Sequence, residues 1–589
     1  MSDPHLVLCG GLPLAAAPPR WRRLPRTDLD IGGAEDVHLA VAQLTARMAA
    51  TIPDASMDLL EVAAYVFAAD QALTRGGTAA VDYGDAWRRR LRFVIPVRDP
   101  ERWGRADVQL ALRAALEFLT DDEYEFAFVR ATEPARPERY LTDLLPPSGT
   151  EFEEVVLFSG GLDSLCGAVE EVLVAGRRAV LVSHRSATRV TGRQREVFEA
   201  LAARAPDPRR RPLHVGVTVN KASDLNREFT QRSRSFVFAS VAAVVARQVG
   251  LGRVTFFENG CTSLNLPVSP ELVGARASRT THPQSLARFG TFLTHLFGTR
   301  FAVRNPYQSY TKAEILTRLR ERGHAALCRL TCSCGTVWGR DGDRPHCGVC
   351  SQCVERRVSA LAAGLTDADD PPDRYACDPI RGDREGPDLT FAERYVGTAR
   401  EVAAIDSPLA FAARFPEVNE AAPFLAERPG AGVRLAHGLC QRNARGIMDV
   451  IRRAVDPEEL VGQSVAARSL LGAALGRTVG PRATTPAPPA ASRDFCVVRE
   501  TFSVTYDGHS CDLGNTLEFR FVERLHRARG TYLPIPVIGK DVWDDEAVSK
   551  NAVQAVASNL RRKLRRLELP EDFVDGSQKG HYGLRLLPT

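Results

Sequence analysis

A chain of 589 residues holds several domains, each able to bury its own core. With 44% hydrophobic and 25% charged residues it has the make-up of ordinary globular protein, and a net charge of +5 is too small for chain-wide attraction to nucleic acid or a membrane surface. No apolar run nears the ~20 residues of a membrane span, and the N-terminus lacks a secretory signal, so the expected location is the cytoplasm, with thiols reduced or metal-bound.

Residues 1–150 read as an N-terminal α+β accessory domain. Asp58–Phe67 has apolar residues at helical spacing, and Leu91–Val97 and Tyr124–Val129 read as strands. No chemistry-bearing motif stands here. From residue 151 the pattern alternates. Strands are predicted at Val155–Phe158, Ala179–Val182, Leu213–Val219 and Val254–Phe257, with helical patterns near Val190–Arg204 and Ser235–Val249 between them. Such alternation predicts a parallel sheet covered on both faces, with ligands outside the strand C-terminal ends.

At the end of the first of these strands stands Ser159-Gly160-Gly161-Leu162-Asp163-Ser164, followed by a helix-like run to Val174. A strand, a tight glycine turn and a helix start make an anion site. The glycines let backbone approach a phosphate, the hydroxyls add donors, and the helix start offers free N–H groups. Further on, Glu258 and Asn259 follow a strand, and Arg276, Arg279, Thr281 and His282 crowd polar groups into one segment. Together they read as a substrate-pocket wall.

Six of the 13 cysteines lie between Cys328 and Cys353. Cys347, Cys350 and Cys353 sit at two-residue gaps, and one upstream thiol, Cys334 or Cys332, completes a tetrahedral all-sulfur set. Such a set leaves no open position, so the metal would be structural Zn²⁺. His346 is a rival ligand, and a four-thiolate iron–sulfur cluster is the other chemistry of this pattern. Residues 366–480 read as a helical extension without an obvious site. Residues 481–493 form a Pro/Ala linker, and 494–589 a final domain.

The glycine loop resembles the pyrophosphate loop of the N-type ATP pyrophosphatases, whose α/β, parallel-sheet core is of the adenine nucleotide α-hydrolase-like (HUP) kind. Adding Thr331-Cys332-Ser333-Cys334, Cys347-Gly348-Val349-Cys350-Ser351-Gln352-Cys353-Val354-Glu355-Arg356-Arg357 and Thr311-Lys312-Ala313-Glu314-Ile315, residues 151–365 resemble 7-cyano-7-deazaguanine synthase. The Thr-x-Ser-Cys frame of that family favours Cys334 over Cys332. The resemblance implies a ligase using ATP, Mg²⁺ and Zn²⁺. It adenylates the carboxylate of a 7-carboxy-7-deazaguanine-type substrate, releases pyrophosphate, and forms an amide or nitrile. It also implies that Ser159, Gly160, Gly161, Leu162, Asp163 and Ser164 bind pyrophosphate, with Asp163 and Lys312 catalytic. The family's own purine-pocket stretch is missing. Enlarged proteins of this kind resemble those of bacterial anti-phage operons, where the acyl group can be joined to a partner protein encoded alongside.

The final domain, with a long helix over Asn551–Leu567 and a hairpin over Phe573–Leu586, resembles an OmpR/PhoB-type winged helix. Arg561, Arg562 and Arg565 are its candidate contacts to DNA. From Asp494 on, however, 14 Lys/Arg balance 14 Asp/Glu, without the basic excess of a dedicated DNA binder, so protein docking competes. Two further readings are a nucleotide-sensing DNA-binding regulator and a tRNA or nucleotide thiolation enzyme. The latter would need a persulfide cysteine such as Cys166 or Cys261.

Overall fold

The structure, a computed structural model, describes residues 3–585 except 32–36, 41–51, 76–87, 133–150, 186–187, 222–224, 226–227, 229–230, 267–278, 336–343, 429, 456–464, 477–494, 499–501, 508, 514–515, 529–530, 544–547, 549, 568, 571 and 579. Two compact units divide the chain. The first comprises residues 1–69, 85–220 and 232–479, and the second residues 70–84, 221–231 and 480–589.

The first unit begins with strands β1 (Pro4–Cys9), β2 (Arg26–Leu29) and β3 (Val37–Ala40), helix α1 (Asp54–Ala72), β4 (Arg90–Val97), α2 (Ala106–Thr120) and β5 (Glu123–Arg130). Four of these strands form a sheet in the order β2-β1-β4-β5, parallel at every pairing. That corrects the α+β expectation: parallel neighbours need crossovers, and α2 supplies one between β4 and β5, so this part is α/β.

The second sheet uses β6 (Glu154–Leu157), β7 (Ala179–His184), β8 (Leu213–Lys221), β9 (Arg253–Thr255) and β10 (Ala302–Arg304), in the order β10-β9-β6-β7-β8-β3. The β10–β9, β9–β6, β6–β7 and β7–β8 pairings are parallel. All of β6 and β7 is buried, as strands covered on both faces must be. The helices around them are α3 (Leu162–Val169), α4 (Thr188–Ala202), α5 (Arg234–Gln248), α6 (Gly260–Leu264) and α7 (Pro283–Phe297). From β6 the chain runs to β7 and β8 on one side, then returns to β9 and β10 on the other. The ends of β6 and β9 therefore flank a topological switch point, where such sheets leave a crevice.

After β10 come α8 (Lys312–Glu321) and α9 (Ser351–Ala362), then an extension whose main helices are α10 (Gly386–Ala404) and α11 (Ala431–Ala454). The extension shares one core with the sheet domain: Leu264 of α6 and Val354 and Val358 of α9 pack with Phe391, Leu439 and Ile447. The second unit carries an antiparallel sheet of β11 (Cys496–Val498), β12 (Ser503–Tyr506) and β13 (His509–Asp512), and helices α12 (Leu517–Arg527) and α13 (Lys550–Leu564). A second small antiparallel sheet joins β14 (Leu533–Pro534), β15 (Val574–Asp575) and β16 (His581–Leu584). Its core is built on Phe519, Phe521, Leu525, Leu560 and Tyr582.

Candidate functional site

The turn after β6 is folded by its own hydroxyls. Ser159 Oγ lies 3.1 Å from Ser164 Oγ and accepts the Gly161 N–H at 3.2 Å, while Ser164 Oγ donates to the Gly161 carbonyl at 3.0 Å. Gly160 has φ +79°, and a Cβ there would lie 3.0 Å from Gln194 Cγ, so glycine suits both the backbone and the space. Gln194 braces the turn from α4, donating Nε2 to the Ser159 and His184 carbonyls at 3.2 Å each. No side chain caps α3 at Gly161. The first-turn N–H groups, which lack intrahelical partners in any helix, thus have no capping side chain either, the condition of an anion site.

Asp163, in that first turn, is buried and heavily bonded. Its Oδ2 accepts the Asn259 backbone N–H at 3.0 Å and Nδ2 at 2.8 Å, and its Oδ1 stands 3.4 Å from Lys312 Nζ. Lys312, also buried, donates to Glu355 Oε2 at 3.1 Å, and Thr262 donates to Glu355 Oε1 at 3.2 Å. Burial pushes the Asp163 carboxyl up, but the Lys312 charge and hydrogen bonds from Glu258 and Asn259 outweigh it and hold the group below its ordinary range. Glu258 moves the other way. Burial and the Asp163 carboxylate raise it well above the carboxylate range. Asn305, just past β10, fixes the strand-end loop by donating to the Glu258 carbonyl at 2.8 Å and accepting its N–H at 3.3 Å. The ends of β6, β9 and β10 thus meet in one polar cluster. The Asp163 carboxylate is thus held between Asn259, on Oδ2, and Lys312, beside Oδ1.

Cys334, Cys347, Cys350 and Cys353 come together with their sulfurs all within 4.8 Å of one another. Cys332 is not in the group; its thiol lies 3.7 Å from the Pro345 carbonyl. His346 is also outside it, fully buried and stacked on Tyr375 at 4.8 Å between ring centroids. Tetrahedral zinc, with Zn–S near 2.3 Å, sets sulfur–sulfur edges of about 3.8 Å; Cys347 and Cys353 stand 3.8 Å apart. The Cys350 N–H donates to Cys347 Sγ at 3.2 Å, and Gly348 takes φ +83° to turn the chain between them. The four thiols fit a structural metal ion. Arg356, fully buried on α9, ties together the segments before and after the helix by donating to Thr331 at 2.6 Å, the Cys328 carbonyl at 2.9 Å and Asp370 at 2.9 Å.

A cavity of about 350 Å³ opens beside these groups. One wall comes from α6, α9, Arg279 and His282, the other from α10, α11 and Phe415 of the extension. Of the sequence-derived pocket residues, Arg279 and His282 line this cavity, Thr281 is buried against Ser263 at 3.2 Å, and Glu258 and Asn259 belong to the Asp163 cluster. Arg276 lies outside the described residues. Sequence reading missed Glu355, which joins the Lys312 cluster to the cavity lining, and missed the extension as a cavity wall.

In the second unit, Arg561 is half-buried and donates to the Val574 carbonyl at 2.8 Å, which occupies part of its guanidinium. Arg562 is exposed and bonds Asn559 at 3.1 Å, and Arg565 is exposed. No helix among the described residues is long and apolar enough to cross a membrane.

No family model matches the chain, and no curated protein matches it. Among solved structures it is similar to the crystal structure of a ketoreductase domain from the bacillaene assembly line, at 10% identity over 51% of this chain and 79% of that one. With a TM-score of 0.20 that likeness carries no argument.

Proposed function

We propose that residues 151–365 form an ATP pyrophosphatase domain that adenylates the carboxylate of a 7-carboxy-7-deazaguanine-type substrate. The observation that carries this reading is the uncapped start of α3 at the switch point, with the buried Asp163–Lys312 pair in its first turn. A carboxylate is a poor electrophile because its oxygen leaves badly. Displacing pyrophosphate turns that oxygen into part of a good leaving group, AMP, which ammonia or an amine then replaces.

This chain's residues would position and neutralise. The first-turn N–H groups of α3 and the Ser159 and Ser164 hydroxyls hold the departing pyrophosphate. Lys312 supplies positive charge, and Asn259 keeps the Asp163 carboxylate fixed. Mg²⁺ would enter with the nucleotide as part of the substrate. Zn²⁺ on Cys334, Cys347, Cys350 and Cys353 would be structural, fixing the start of α9 and so Glu355. The reading extends to bacterial anti-phage defence, with a partner protein as acyl acceptor, and to residues 494–589 as a winged helix that meets DNA or protein.

Incubation with ATP, 7-carboxy-7-deazaguanine and ammonia, followed by mass spectrometry, tests it. AMP and pyrophosphate should form only with the deazaguanine present, and Asp163→Ala should abolish both. A sulfur-containing product would favour thiolation instead, and nucleotide binding without turnover would favour the regulator.

A further inference from the structure

His282 is 4% exposed and lies among the lining groups of the 350 Å³ cavity. Its Nδ1 accepts the Gln284 backbone N–H at 3.2 Å and so caps α7. An acceptor nitrogen carries no proton, so the ring's hydrogen sits on Nε2. Burial, reinforced by the neighbouring Arg279 charge, lowers the imidazole to about 4, so the ring is neutral at physiological pH. The ring packs against Phe118 at 5.0 Å, and the cap prevents the imidazole from turning over. Nε2–H has no partner among the described residues. Arg279, also at the cavity, donates to the Phe118 carbonyl at 2.9 Å and lies 3.7 Å from Glu420. The other charged lining groups are Glu355, Glu417 and Glu420, and Phe391, Tyr395 and Phe415 contribute aromatic surface.

We propose that this cavity is where the substrate ring binds, and that His282 is its specificity residue, a fixed N–H donor that selects a ring presenting a hydrogen-bond acceptor such as a carbonyl oxygen. The inference rests on the adenylation reading above and adds to it a site half built from the extension. A fixed donor discriminates strongly. A ligand without the acceptor leaves a buried N–H unpaired, whereas a wrongly sized apolar ring is merely a loose fit.

Calorimetric binding to the full chain tests this with two probes: 7-carboxy-7-deazaguanine, and its analogue with the ring carbonyl replaced by hydrogen. The wild type should bind the analogue about 10-fold or more weakly. His282→Asn keeps an oxygen to cap α7 and withdraws the Nε2–H. In that variant the gap between probes should fall to about 3-fold or less. An equal gap in wild type and variant, or none in the wild type, overturns the role of His282 while leaving adenylation standing. Failure of both probes to bind the wild type overturns the adenylation reading and this site with it. Nitrogen-15 NMR of histidine-labelled wild-type chain does not depend on the variant folding. It should show the His282 ring as the neutral Nε2–H tautomer, shifted by the first probe, and a proton on Nδ1 would overturn the assignment.

Discussion

Metal content and ligation give the sharpest measurement on this chain. The four sulfurs lie within 4.8 Å of one another, and a zinc tetrahedron needs edges near 3.8 Å. The widest pair would therefore close by about 1 Å at most, within reach of thiol rotation, and the Cys347–Cys353 pair needs no movement. X-ray absorption on the purified chain should show one zinc with four sulfurs at about 2.3 Å. Structural zinc supplies roughly 10–16 kcal/mol in isolated fingers, comparable with the whole stability of a domain. Chelation should accordingly unfold the segment it holds rather than loosen it, giving a step rise in hydrogen exchange from Thr331 through Arg384. Cys350→Ser should leave three sulfurs, and Cys332→Ser should leave four. A nitrogen in the shell, which would bring in His346, an iron–sulfur absorption band, or no metal after growth in zinc would refute the assignment.

Lys312→Met should destabilise the first unit by about 3–5 kcal/mol, because it strands two carboxylates beside a buried site. Adding Asp163→Asn should recover part of that loss in denaturant melts, and strict additivity would contradict the coupling. Gly348→Ala places a Cβ 1.7 Å from the Cys377 carbonyl oxygen at φ +83°, so it should cost about 1–3 kcal/mol or more and speed thiol release to a mercurial reagent. His184 and His282 both fall from 6.5 to about 4 on folding, driven chiefly by burial. The unfolded chain binds their protons first, so the stability they provide is whole above pH 6.5. It is lost as pH drops toward 4, by about 3 kcal/mol for each group, which urea melts across that range would reveal.

Much of the sheet could be read from the chain because its strands are continuous apolar runs bounded by turns. Val155–Leu157 and Ala179–Val182 are of this kind, and they are the strands that lie wholly inside. Ala302–Arg304 escaped notice because three residues carry no period, yet its end supplies Asn305 to the site. Pro4–Cys9 is not among the predicted strands either; the structure pairs it with β2 and β4. The glycine loop and cysteines were visible as local spacing. The Lys312–Glu355 contact was not, because it joins residues 43 apart that only folding brings together. The cavity was hidden for a similar reason: helical periodicity marks the apolar faces of α10 and α11 but not that they leave a void opposite α6 and α9.

α9 begins at the residue after Cys350, and in its first turns it carries Cys353, then Glu355, then Arg356. One stiff rod therefore has a sulfur in the four-cysteine cluster, a carboxylate on Lys312 and a guanidinium clamped to the Cys328 turn. Such a rod acts as a ruler: a rotation that eased any one contact would throw the other two off by the same angle. A change at the four cysteines would therefore be felt at Lys312 and at the Cys328 turn, although neither is part of that cluster.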